Sequence, residues 1–157
     1  MPHALNLTLP LKQDPESKKR LAEIEASFST TIQPAIDEAL RKSKIVHFAR
    51  VVNVHGKYLQ VITEYDGDHK EYTEFFRRAL SPVFAALFSL AEGAPSFEEL
   101  DSNSFFELSK SLNIRSLGTA TDGTKDGTGQ AEGYLFSAYG SRTVKDVLDY
   151  WRHEIRG

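Results

Sequence analysis

The sequence predicts an α+β fold: a four-stranded antiparallel sheet built in the order βαββαβ, helices on one face, an extra helix and a C-terminal helix. Three observations carry this reading. Residues 44–68, KIVHFARVVNVHGKYLQVITEYDGD, form two runs rich in Val, Ile, Tyr and Phe around His55-Gly56, the composition of a β-hairpin. Residues 4–11 alternate, with Leu5, Leu7, Leu9 and Leu11 on one side and Asn6 and Thr8 on the other, as in a half-buried strand. Three longer stretches repeat apolar residues at helical spacing.

The elements follow in order. Asp14-Pro15 supplies an N-cap with Pro at the first helical position. Leu21, Ile24, Phe28 and Ile32 then form a stripe. Pro34 breaks or kinks it, and Ile36, Ala39 and Leu40 continue it toward the basic Arg41, Lys42 and Lys44. After the hairpin, Asp66-Gly67-Asp68 is a turn, and Asp68 caps a helix over 69–92. Ser81-Pro82 kinks that helix or starts a second one, and Gly93 and Pro95 end it. Ser96 to Glu99 reads as a capping box before a short helix through Phe105, Phe106 and Leu108. Residues 116–133, dominated by Gly, Thr, Asp and Ser, have no period and read as a flexible loop or lid. Residues 134–139 read as the last strand. Residues 143–156 are the last helix, with Val144, Val147, Leu148 and Trp151 on one face.

Composition bounds the functions. A chain of 157 residues suggests one domain, residues 1–157, large enough for its own core. The net charge of −3 without a basic block gives no reason to expect nucleic acid. No apolar run has transmembrane length, and the first residues lack the pattern of a signal peptide, so a cytoplasmic location is the default expectation. With no cysteine there is no disulfide and no thiolate chemistry.

A two-residue turn at His55-Gly56 sets Val54 opposite Lys57 and sorts the hairpin into two faces. One face carries Val46, Phe48, Arg50 and Val52 with Leu59, Val61, Thr63 and Tyr65, and is expected against the helices. The other carries His47, Ala49, Val51 and Asn53 with Tyr58, Gln60, Ile62 and Glu64. In this register His47 stands opposite Glu64, their Cβ atoms about 5 Å apart.

The order of elements is that of the ferredoxin-like split βαβ motif. On that order and on the segments VHFARVV and LQVITEYDGD, the chain resembles the dimeric α/β-barrel group of ferredoxin-like proteins. That group includes antibiotic-biosynthesis-type monooxygenases, stress-responsive barrel proteins, chlorite dismutases and dye-decolourising peroxidases. The likeness covers roughly residues 4–92 and 132–157. It implies a homodimer closed through the bare sheet face and a pocket for a small molecule or haem. The aspartate and arginine signature of the dye-decolourising peroxidases is not evident.

His47 is the candidate general base and Glu64 the carboxylate that orients it, weighed against a cross-strand pair that merely satisfies itself. Asn6 and Thr8 share their face and, with Tyr58 and Gln60, are candidate ligand contacts. Arg50 is a candidate anion contact or a charge that snorkels to the surface. Asp66, Asp68 and His69 are explained by turn and cap chemistry, and no metal site is expected. Two classes of function follow. One is a cofactor-poor, monooxygenase-like oxidoreductase, or a binding protein, for an apolar or aromatic small molecule at the sheet face. The other is a non-enzymatic dimerisation module. A haem protein with His47 as axial ligand is a third reading.

Overall fold

The computed structural model describes residues 2–120, 123–125 and 131–156. Strands β1 (Pro2–Pro10), β2 (Val46–Val54) and β3 (Tyr58–Asp66) form an antiparallel sheet in the order β1-β3-β2. Strands β1 and β2 therefore run parallel with β3 between them, an arrangement loosely compatible with a ferredoxin-like fold. Helices α1 (Pro15–Ser27) and α2 (Gln33–Ser43) lie between β1 and β2 in the chain. Helices α3 (His69–Ala79), α4 (Ser81–Ser89) and α5 (Ser102–Leu112) follow β3, and α6 (Val144–Arg156) ends the chain.

Local chemistry accounts for most boundaries. Asp14 accepts from the Ser17 N–H, and Asp68 accepts from Lys70 and Glu71, so both expected caps form. Pro34 does not kink one continuous helix. The chain first widens into a π-turn at Phe28–Ile32, and Pro34 then falls in the first turn of α2, where a missing N–H costs nothing. Ser81-Pro82 likewise starts a new helix after Leu80. Ser96 precedes and Glu99 ends only a 3-10 turn. The capping box belongs to Asp101 and Ser104 at the start of α5, where each side chain bonds the other's backbone N–H.

The predicted strand at 134–139 does not form. The Tyr134 N–H donates to Leu117 O, and residues 138–141 turn toward α6. On the free edge of β1 the segment after α5 makes a single bridge, Leu7 to Asn113, with Ile114 N–H donating to Asn6 O. The loop at 116–133 is drawn together at its ends. Ala120 N–H donates to Glu132 O, Glu132 N–H to Thr124 O, and the Arg115 guanidinium reaches Ala131 O and Glu132 O. Gly133 packs so closely that a Cβ there would lie 2.1 Å from Ser116 O. Residues 121–122 and 126–130 of this loop lie outside the described residues.

The core lies between the helices and one sheet face. Leu5, Leu7 and Leu9 of β1 point the same way as Leu59 and Thr63 of β3, against Tyr72, Phe76, Leu87, Phe88 and Phe105. Phe84, Phe88, Phe97 and Phe105 pack with ring centroids 5.3 to 6.3 Å apart.

Candidate functional site

The hairpin loop decides which side chains share a face. His55 and Gly56 both have positive φ, 55° and 68°, but β2 and β3 pair as Val54–Tyr58, Val51–Val61 and Phe48–Glu64. Three residues, not two, separate the paired ends, so most of β2 is shifted by one residue from the predicted register. A one-residue shift turns every side chain over. Ala49, Val51 and Asn53 face the helices. Phe48, Arg50 and Val52 join Tyr58, Gln60, Ile62 and Glu64 on the other face. The predicted placement of Arg50 and Phe48 against the helices is thus corrected, and a guanidinium is spared burial in the core.

A β-bulge between Val46 and Phe48 restores the first register at its far end, where Val46 pairs with Tyr65. The bulged residue is His47. An extra residue in one strand re-aims its side chain, and His47 is aimed not at Glu64 but at Asp66. Its Nε2 lies 2.8 Å from Asp66 Oδ1, and its Nδ1 lies 3.0 Å from the Tyr139 hydroxyl. The Val144 N–H, in the first turn of α6, donates to Asp66 Oδ2 at 2.7 Å. The side chains of His47 and Asp66 are 3% and 8% exposed, whereas Tyr139 is half-buried. The chain Val144 N–H, Asp66, His47, Tyr139 therefore runs from the start of a helix, through a buried dyad, to a phenol at the surface. With both ring nitrogens engaged, neither is free to ligate a haem iron.

Glu64 faces Phe48, and its Oε2 is buried with no hydrogen-bond partner among the described residues. Burial raises its pKa above the ordinary glutamate value, against the opposing pull of Arg50 and then His47. The remaining sheet-face candidates are mostly occupied with one another. Asn6 Nδ2 donates to Ile114 O and Ser116 Oγ, Gln60 Nε2 donates to Thr8 Oγ1, and Thr8 Oγ1 donates to Asn6 O. Tyr58 and Phe48 are exposed, the latter 65%. Among the described residues no three His, Cys, Asp or Glu side chains gather to hold a metal ion.

The space for a small molecule lies behind the sheet. A cavity of about 440 Å³ is bounded by Ala49, Val51, Val61 and Thr63 of the sheet, by Phe28, Ile36 and Leu40, and by Tyr72, Phe76 and Phe84. Inside it, the Thr63 and Tyr72 hydroxyls bond each other at 2.7 Å, and burial pushes the Tyr72 phenol above its usual pKa. The exposed Gln33 and Asp37 of α2 also line it and supply its polar rim. Sequence reasoning missed this cavity because its wall joins three helices and the π-turn to two strands. It missed Asp66 and Tyr139 because the bulge that connects them to His47 leaves no signature in composition or period.

The chain matches no protein-family model, no curated protein and no solved structure.

Proposed function

We propose that this protein binds an apolar or aromatic small molecule in the cavity between the sheet and helices α2, α3 and α4. The observation that carries this is the cavity itself: about 440 Å³ with mainly apolar walls, one hydroxyl pair inside and the polar Gln33 and Asp37 at the rim. That is the pattern of a small-molecule site, a large apolar surface with a few placed polar groups. The body of the ligand packs among Val61, Phe76 and Phe84, and the Thr63 and Tyr72 hydroxyls are the polar groups inside the cavity. The strand order and the core helices α2, α3 and α4 on one face support a place among ferredoxin-like proteins of the dimeric α/β-barrel kind, within which an oxidoreductase of the monooxygenase type is one form of this reading.

The test uses 8-anilinonaphthalene-1-sulfonate, an aromatic probe with one acidic group. It should bind the native protein saturably at one site. Val61→Phe, which fills the cavity, should remove that binding while the unfolding midpoint holds. Undiminished binding to Val61→Phe, or no saturable binding to the native protein, refutes the reading.

A second reading, a homodimer through the open sheet face, rests on the exposed Phe48 and Tyr58 there. Light scattering should then give twice the chain mass, reduced to a single chain by Phe48→Glu. A monomer at high micromolar concentration ends this reading.

A further inference from the structure

We infer that Asp66, His47 and Tyr139 form a proton-transfer relay that makes the Tyr139 oxygen a nucleophile toward small electrophiles that transfer an acyl or sulfonyl group. The relay lies on the sheet face opposite the cavity and stands independently of the ligand proposed there.

The geometry assigns each group a role. Asp66 Oδ2 accepts from the Val144 N–H and Oδ1 accepts from His47, so the carboxyl is fixed at both oxygens. The His47 N–H directed at Asp66 is on Nε2, which leaves the Nδ1 lone pair to accept from the Tyr139 O–H at 3.0 Å. A nucleophile bonded to a base, and the base to an orienting carboxyl, is the general arrangement for activating a weak hydroxyl. Burial is graded in the sense such a site requires. The dyad is shielded from water, while Tyr139, on the turn formed by residues 138–141, is half-exposed. The imidazole and phenol rings are stacked at 26° with centroids 5.7 Å apart, which restricts both. An anchor for α6 needs only the Val144 bond to Asp66. It does not require a histidine bulged out of β2 to carry that carboxyl on to a surface phenol.

The step balances without a further reactant. The Tyr139 oxygen attacks the electrophilic sulfur or carbonyl carbon, its proton passes to His47 Nδ1, and the leaving group departs with the bonding pair. The imidazolium Nδ1, which faces the half-exposed Tyr139, then gives its proton to the departing leaving group. Asp66 and His47 act as positioning residue and base, and Tyr139 is the atom that bonds. The titratable groups facing His47 are Asp66 and Glu64 from β3 and Tyr139 from the turn. Arg142 donates to the Tyr139 carbonyl.

Benzenesulfonyl fluoride, with fluoride as leaving group, is the probe, and mass spectrometry reads which tyrosines carry the sulfonyl group. Tyr139 should react at least about a hundredfold faster than Tyr150, the lower end of what a positioned base contributes. Tyr150 is the more exposed of the two, at 64%, and serves as internal reference. His47→Gln, which keeps a polar side chain but no base, should bring Tyr139 down to the Tyr150 rate. Asp66→Asn should lower Tyr139 alone. Equal rates for Tyr139 and Tyr150 in the native protein, or a Tyr139 rate unchanged by His47→Gln, overturn the inference. If either variant fails to fold, the comparison of Tyr139 with Tyr150 within the native protein still decides it.

Discussion

Removing one hydroxyl from the cavity wall tests how dry that cavity is. Thr63 and Tyr72 are 4% and 6% exposed, and their hydroxyls are 2.7 Å apart. Tyr72→Phe keeps the ring, which stacks on Tyr65 at 4.1 Å and meets Phe76 at 4.8 Å, so only the hydroxyl is lost. The Thr63 hydroxyl is then left buried without its phenol partner. A net hydrogen bond contributes about 1 kcal/mol, and an orphaned buried group costs about 1–3 kcal/mol. Tyr72→Phe should therefore destabilise by about 2 kcal/mol, and Thr63→Val, which orphans the phenol instead, by a similar amount. The double variant leaves no orphan and should cost at least about 1 kcal/mol less than the sum of the two. Urea unfolding of the four proteins measures this, a loss of 2 kcal/mol moving the midpoint by about 1 M at a typical denaturant slope. Additive single effects, or a neutral Tyr72→Phe, would mean that water reaches both hydroxyls and that the dry-wall reasoning is wrong.

Two other perturbations follow from the same physics. Gly133→Ala places a Cβ against the Ser116 carbonyl, so one strand of the loop must move; a cost of about 1–3 kcal/mol is expected, together with faster amide exchange at Ala120 and Tyr134. An unchanged melting temperature and exchange pattern would contradict the close approach. Because the folded pKa of Glu64 is raised, the protonated form is favoured by folding, and this contribution is complete below the ordinary glutamate value and lost as pH rises through the folded value. Glu64→Gln should therefore gain stability over the native protein as pH rises from 4 to 8, by less than about 1 kcal/mol since Glu64 is only partly buried and water screens it. A gain that grows instead toward low pH would reverse the sign and refute the burial argument.

The sequence by itself determined every element whose signal is local. Leucine alternation specified β1, because a strand with one buried face must alternate. Asp14 and Asp68 specified two helix starts, because a cap is satisfied within its own turn. The two runs around His55-Gly56 specified the hairpin. Tertiary structure decided what depends on a count of one. Three loop residues in place of two turned β2 over, sending Arg50 outward and Ala49 and Val51 toward the helices, and nothing in the alternation of β2 distinguishes these because both faces carry valine. The bulge at His47 then replaced Glu64 with Asp66 as the imidazole's partner. It brought in Tyr139, 92 residues away along the chain. The segment expected as a fourth strand was drawn into pairing with Leu117, a choice set by contacts distant in sequence. The candidate residue His47 was legible because histidine and carboxylates stood near one another in the hairpin. Its geometry was not, because a register is fixed by how the two strands and their loop pack, and a single inserted residue leaves composition and period unchanged.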